Sequence, residues 1–245
     1  MKDVFPLLIE QINKNCSSIS ELKTEWPFLF EKQCCLEHFR TLTGVSIEEQ
    51  FLEYSKNKKR VLLTYMSNQE NPDVKEVIAD IDKYTSITTT KYPETDGIIP
   101  LLLKHFNEEG LIEYYPLATD TKKIEEQRRK AGAPVISVVG CLFTTIIFHV
   151  VIENRSVTVL HTFDDAVMVM FALHYILNLE YLTTCIATLE FLQRAYMGIN
   201  PVKGSKNKKK QGKAYQVHPK VLQLVNELKF LKKRCKCLVV TIVSS

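Results

Sequence analysis

The sequence predicts an α+β chain: an N-terminal helical unit, then a small sheet packed by C-terminal helices. Three observations carry this. Up to about residue 90 the apolar side chains fall at helical spacing. The run from Val135 to Ile152 is rich in Val, Ile and Thr and resumes as Val157-Thr158-Val159-Leu160 after a polar break, which is strand patterning. Helical stripes with start and stop signals then return. The expected units are 1–90 (helical), 91–234 (mixed) and a tail at 235–245, with three C-terminal helices covering the sheet.

In chain order, Phe5, Leu8, Ile9 and Ile12 share a helical face. Trp26-Pro27 interrupts, and Leu29, Leu36 and Phe39 continue an apolar face. Ser46-Ile47-Glu48-Glu49 reads as a capping box opening a helix that bears Ile47 and Phe51. Asn71-Pro72 supplies an N-cap and a first-turn proline. Behind it Val74, Val77, Ile78, Ile81 and Tyr84 form a stripe. Ile87 to Pro93 reads as the linker between the two main units. Asp96-Gly97 starts a helix through Leu101, Leu102 and Leu103, and Leu111 to Leu117 suits a strand. Thr121 to Lys130 reads as a solvated surface helix with one large apolar residue, Ile124.

Val135 to Ile152 leaves two readings open. Its 18 residues carry no charge apart from His149 and reach the lower range for a membrane span, with Arg128, Arg129 and Lys130 beside it. Its β-branched composition and the Glu153-Asn154-Arg155-Ser156 break suit two strands joined by a hairpin turn. Thr162-Phe163-Asp164-Asp165 begins a helix whose following residues leave almost no polar face, as in a buried helix. Leu182, Ile186, Leu189, Leu192 and Tyr196 make the next stripe, which stops at Gly198-Ile199-Asn200-Pro201. Val221, Val225, Leu228 and Leu231 make the last, with Pro219 in its first turn.

The 245 residues are 45% hydrophobic and 24% charged, the balance of a folded chain. The net charge is +4, and the excess is local: Lys203, Lys206, Lys208, Lys209, Lys210 and Lys213 fall in one segment without an acid. Seven irregularly spaced cysteines include no CxxC pair, which excludes zinc-ribbon and thioredoxin-type motifs and fits a reducing compartment. The opening MKDVFPLLIEQINKN is too polar for a signal peptide, so an intracellular chain, cytoplasmic or nuclear, is expected.

Two constellations suggest chemistry. His161 with Asp164 and Asp165 could orient an imidazole as a base, although acids in a first helical turn need no catalytic role. Cys141 or Cys185 could pair with His149 or His174 for thiol chemistry, but all four sit on apolar segments where inert burial is the default. No GxGxxG or Walker loop occurs. No cofactor and no metal are expected. The lysine segment could neutralise phosphates, serve nuclear import, or be a solvated connection. Tyr215 is the one ring near it, which argues against base stacking.

Several stretches together resemble one family. GIIPLLLKHFNEEGLIEYYPLATDTKK, APVISVVG, TFDDAVMVMFALHYILNLEY, TLEFLQRAYMGINPVKGSKNKKK and HPKVLQLVNEL are similar to the C-terminal region of fish sterile alpha motif domain-containing protein 3-like proteins, as is the upstream Glu25-Trp26-Pro27-Phe28-Leu29-Phe30. The resemblance spans roughly 20–231, without the sterile alpha motif module. The ending CKCLVVTIVSS departs from the acidic, Trp-closed end of that family. The resemblance implies a soluble intracellular chain and assigns no catalytic residue or ligand. The expected function is a non-enzymatic protein-interaction or scaffold module. The alternatives are a nucleic-acid-binding protein using 203–213 and a single-pass membrane protein through 135–152.

Overall fold

The computed structural model describes Ile12 and residues 18–89, 91–127, 132–200 and 217–243. Its α+β architecture divides into two compact units. One contains the described parts of 1–48 and 110–184, the other those of 49–109, 185–203 and 209–245. The units therefore alternate along the chain, and the Ile87–Pro93 segment expected to join them lies within the second.

The first unit opens with α1 (Ile19–Glu25), whose capping box is closed by Ser18 and Glu21. Trp26-Pro27 ends it and starts a 3-10 turn, Pro27–Phe30. Helix α2 (Lys32–Thr43) follows and stops at Gly44, where φ is +73°. The sheet has the order β1-β2-β3-β4. Strand β1 (Ile112–Tyr115) runs parallel to β2 (Val135–Val139), whereas β3 (Phe148–Ile152) is antiparallel to both β2 and β4 (Arg155–Leu160).

The apolar run Val135–Ile152 thus folds as two strands and their connection. Among the described residues no helix is long and apolar enough to cross a membrane. Glu153 and Asn154 join β3 to β4 with φ of 48° and 63°, the positive pair that a two-residue hairpin turn requires. The turn also anchors α1: Glu153 accepts from the Ile19 amide at 3.2 Å, and Lys23 donates to the Ser156 carbonyl at 2.7 Å.

Helix α8 (Thr121–Gln127) packs beside β4. It is the surface helix expected, with Thr121, Lys122, Lys123 and Glu126 exposed, and it is docked by the fully buried Ile124 and by Glu125, which accepts from the Ser156 amide at 2.9 Å. Helix α9 (Phe163–Ile176) starts at Thr162, whose hydroxyl accepts from the Asp165 amide. It packs on the sheet through β2, β3 and β4 and on α2. That double contact explains an apolar circumference that no one-sided surface helix could carry. Of the three C-terminal helices expected to cover the sheet, α9 does so; the other two belong to the second unit.

His38 is buried on α2, and that burial pushes its imidazole down to about 4 from an ordinary 6.5. Below pH ~6.5 the unfolded chain takes up a proton that the folded chain refuses, so stability should fall as pH drops from ~6.5 to ~4. His149, also held below its ordinary value, first by burial and against the pull of Glu125, works in the same direction. Urea midpoints taken across this window should therefore decline, and His38→Asn should give a shallower decline. Superimposable slopes for the two proteins would remove the assignment to His38.

The second unit contains most of α3 (Ile47–Asn57), then α4 (Lys59–Ser67), α5 (Pro72–Ile87), α6 (Pro93–Asp96) and α7 (Ile98–Phe106). It resumes with α10 (Ile186–Phe191), a π-helical turn at Leu192–Tyr196, and α11 (Pro219–Val243). Asn71 caps α5 by accepting from the Asp73 amide, with Pro72 at its first position. The backbone of α11 continues past residue 234, where a separate tail was expected.

Candidate functional site

The second unit carries a cavity of about 440 Å³, within the range of small ligand sites and helix-anchor grooves. Its apolar floor comes from Val61 on α4, Phe191 at the end of α10, and Val221, Leu222, Val225 and Leu228 on α11. Lys58, Arg194, Lys229 and Lys232 also line it, and among the described residues none of the lining ones is acidic. Arg194 is paired with Glu190 at 2.8 Å and Lys58 with Glu53 at 4.0 Å, which leaves Lys229 and Lys232 as the cations without an ion pair among the described residues. An apolar base beside two such lysines favours an occupant that is itself apolar and anionic.

Three local devices shape this groove. The first is a cap. Cys185 offers no side-chain hydrogen bond to the start of α10; instead Glu108 accepts from the Ala187 and Thr188 amides at 2.7 and 2.8 Å. A carboxylate there satisfies two orphan donors and lies at the positive end of the helix. The second is the π turn. The Met197 amide reaches back to the Leu192 carbonyl at 3.0 Å, one residue beyond α-helical spacing. The Ala195 carbonyl accepts from Lys58 at 3.3 Å, which ties the turn to the residue between α3 and α4. Gly198, with φ of 65°, then ends the turn where the sequence signals a stop.

The third device is a buried carboxylate. Glu190 has no exposed surface, yet it is fully engaged: Arg194 donates to one oxygen at 2.8 Å and the His218 amide to the other at 3.2 Å. Arg194 also reaches the Asn200 side chain at 3.0 Å. Glu190 thereby joins α10, the π turn and the start of α11, and it holds Arg194 at the groove. On the floor, Tyr54 stacks on Tyr196 with ring centres 3.4 Å apart. Burial raises its phenol well above the ordinary range, and its hydroxyl has no hydrogen-bond partner among the described residues.

Elsewhere on α11, Tyr65 donates to Glu227 and Lys220 donates to the Phe106 carbonyl at 2.6 Å. These bonds seat the helix on α4 and α7.

The sequence-derived candidates fare differently. Lys203, Lys206, Lys208, Lys209, Lys210 and Lys213 lie outside the described residues. The described residues on either side of that segment, Asn200 and Val217, both line the groove. His161 and Asp165 are turned to separate tasks: the His161 ring lies 3.3 Å from the Ile146 carbonyl, and Asp165 pairs with Lys32 at 2.7 Å. His149 hydrogen-bonds Ser156 at 3.0 Å, and His174 meets the Met170 carbonyl at 3.1 Å. Cys185 is buried at the start of α10, and Cys141 lies half-buried after β2. Among the described residues no group of three or more His, Cys, Asp or Glu is placed to hold a metal ion.

The groove itself was not foreseen. Val221 is core, as its place in the stripe suggests, but Val225 and Leu228 are only half-buried, and spacing does not tell whether a helix face is covered by its own chain or left for a partner. The one hint in the sequence was the clustering of lysines beside apolar flanks. No protein-family model, curated protein or solved structure matches this chain.

Proposed function

We propose that the chain is a non-enzymatic protein-interaction module acting inside the cell, in the cytoplasm or nucleus, and that the groove of the second unit is its docking surface. The carrying observation is an aliphatic floor beside Lys229 and Lys232, which form no ion pair among the described residues. The separate structural employment of His149, His161 and His174 supports the non-enzymatic half of the proposal. Kinship with the sterile alpha motif domain-containing protein 3-like family is part of the same proposal, and it suits a protein whose role is to hold a partner.

A photo-crosslinking residue at Leu222, half-exposed in the groove, tests the docking surface in cells. A discrete adduct is expected from position 222 and none from a probe at Tyr92, which is 76% exposed and does not line the groove. Equal labelling from both positions would remove the groove as the surface. Turnover on a hydrolase or transferase panel, abolished by His161→Ala, would overturn the non-enzymatic reading.

One observation favours a nucleic-acid reading as well: the lysine segment is bounded by two residues that line a cationic groove. It requires RNA or DNA retention at low salt that weakens, with a flatter salt slope, when Lys208, Lys209 and Lys210 become Ala.

A further inference from the structure

We infer that the occupant of the groove is an acidic amphipathic α-helix of a partner protein; this rests on the groove being the docking surface, as proposed above. Three features point to that occupant.

The first is the spacing of the floor. Val225, Leu228 and Lys232 succeed one another by three and four residues, so they form one stripe along α11, with Leu222 and Lys229 beside it and the fully buried Val221 beneath its start. From Val225 to Lys232 the helix rises about 10 Å, or two turns. A partner helix presenting apolar residues at i, i+4 and i+7 covers the same length, the repeat by which helices anchor in apolar grooves.

The second is the distribution of charge. The lining cations come from three places: Lys58 between α3 and α4, Arg194 on the π turn, and Lys229 and Lys232 on α11. Arg194 is already ion-paired with Glu190, and Lys58 with Glu53 as well as bonded to the Ala195 carbonyl, so both are held in position and largely compensated. Lys229 and Lys232 are exposed and form no ion pair among the described residues. A ligand with one anionic head meets one such cation. A helix carrying two or more Glu or Asp along one edge meets both Lys229 and Lys232, which stand three residues apart on α11, and this favours a peptide over a fatty acid.

The third concerns what the floor cannot do. Its Tyr54 ring already stacks on Tyr196, and the rest is largely aliphatic, so among the described residues no open aromatic platform is offered to a nucleobase. The groove therefore matches an acidic helix better than a single nucleic-acid strand.

The test is fluorescence anisotropy with the full chain and three labelled 18-residue peptides. One carries Leu at i, i+4 and i+7 with flanking Glu, one has Lys in place of each Glu, and one has the acidic composition with the leucines scrambled. The first should bind and the other two should not. Lys229→Glu with Lys232→Glu should weaken it by about tenfold or more and allow the Lys peptide to bind instead. Both lysines are exposed, so an unchanged circular dichroism spectrum is expected and keeps the comparison clean. Equal binding of the scrambled peptide, or indifference to the double substitution, overturns the inference. So does failure of all three peptides, and displacement of a bound fluorescent probe by palmitate in that case would reassign the groove to small amphiphiles. If the peptides fail while the Leu222 crosslink still gives its discrete adduct, only the nature of the occupant falls. If both fail, the docking surface falls with it.

Discussion

Replacing Glu190 by Ala is expected to destabilise the second unit by about 3 kcal/mol or more, the range for breaking a buried ion pair by removing one partner. Glu190 is completely buried and Arg194 is only 13% exposed. Alanine would take the carboxylate from the guanidinium and would strand the His218 amide at the entry to α11. The loss should be local before it is global: amides of the π turn and the first turns of α11 should exchange fastest, while those of the sheet in the first unit hold their protection. Glu190→Gln keeps the shape and one acceptor and should cost less. An Ala variant within about 0.5 kcal/mol of the parent in urea unfolding would show that Arg194 reaches solvent readily and that the carboxylate is not the organiser described above.

The second large effect is expected at Phe171, where alanine should cost about 3–5 kcal/mol in the first unit. Phe171 is fully buried on α9, with its ring centre 6.0 Å from Phe39 on α2, 5.4 Å from Tyr175 and 6.4 Å from Tyr181. The surrounding rings come from different elements and cannot collapse together into the space left behind. Phe171→Leu should recover most of the loss, because volume and apolarity are largely kept. Hydrogen exchange of β3 and α9 reads the effect directly. Equal losses for the Ala and Leu variants would mean that ring geometry, not volume, sets the stability there.

The parts of the fold legible in the sequence are those fixed by near neighbours. Asn71-Pro72 caps and starts α5, Thr162 starts α9, Glu153-Asn154 turns the hairpin, and Gly198 stops the π turn, as their local chemistry demands. What escaped depends on residues far apart. Glu108 caps a helix 79 residues downstream, and Glu190 bonds an amide 28 residues ahead. No window of helical or strand periodicity carries such pairs. The groove escaped for the same reason: Val61, Val225 and Leu228 each look like core, and only their meeting leaves a half-buried face over Phe191 and Val221. The linker assigned to Ile87–Pro93 rested on composition, and a β-branched, Pro-closed segment connects two helices of one unit as readily as two units.

The alternation of segments between the two units has a consequence for synthesis. On the ribosome, 110–184 emerges after α4 and α7 but before α10 and α11, so the second unit must wait for the chain to pass through the first. Val61 and Val221, which line the same cavity, stand 160 positions apart in the chain. Until α11 is made the α4 face that becomes the groove floor stands uncovered, the state in which nascent apolar surface is most open to chaperones or to aggregation. A ribosome stalled before α11 would thus hold a chain whose first unit has its whole sheet while its second is half built. The order of the gene, as much as the packing, decides which part of this protein needs protection while it is born.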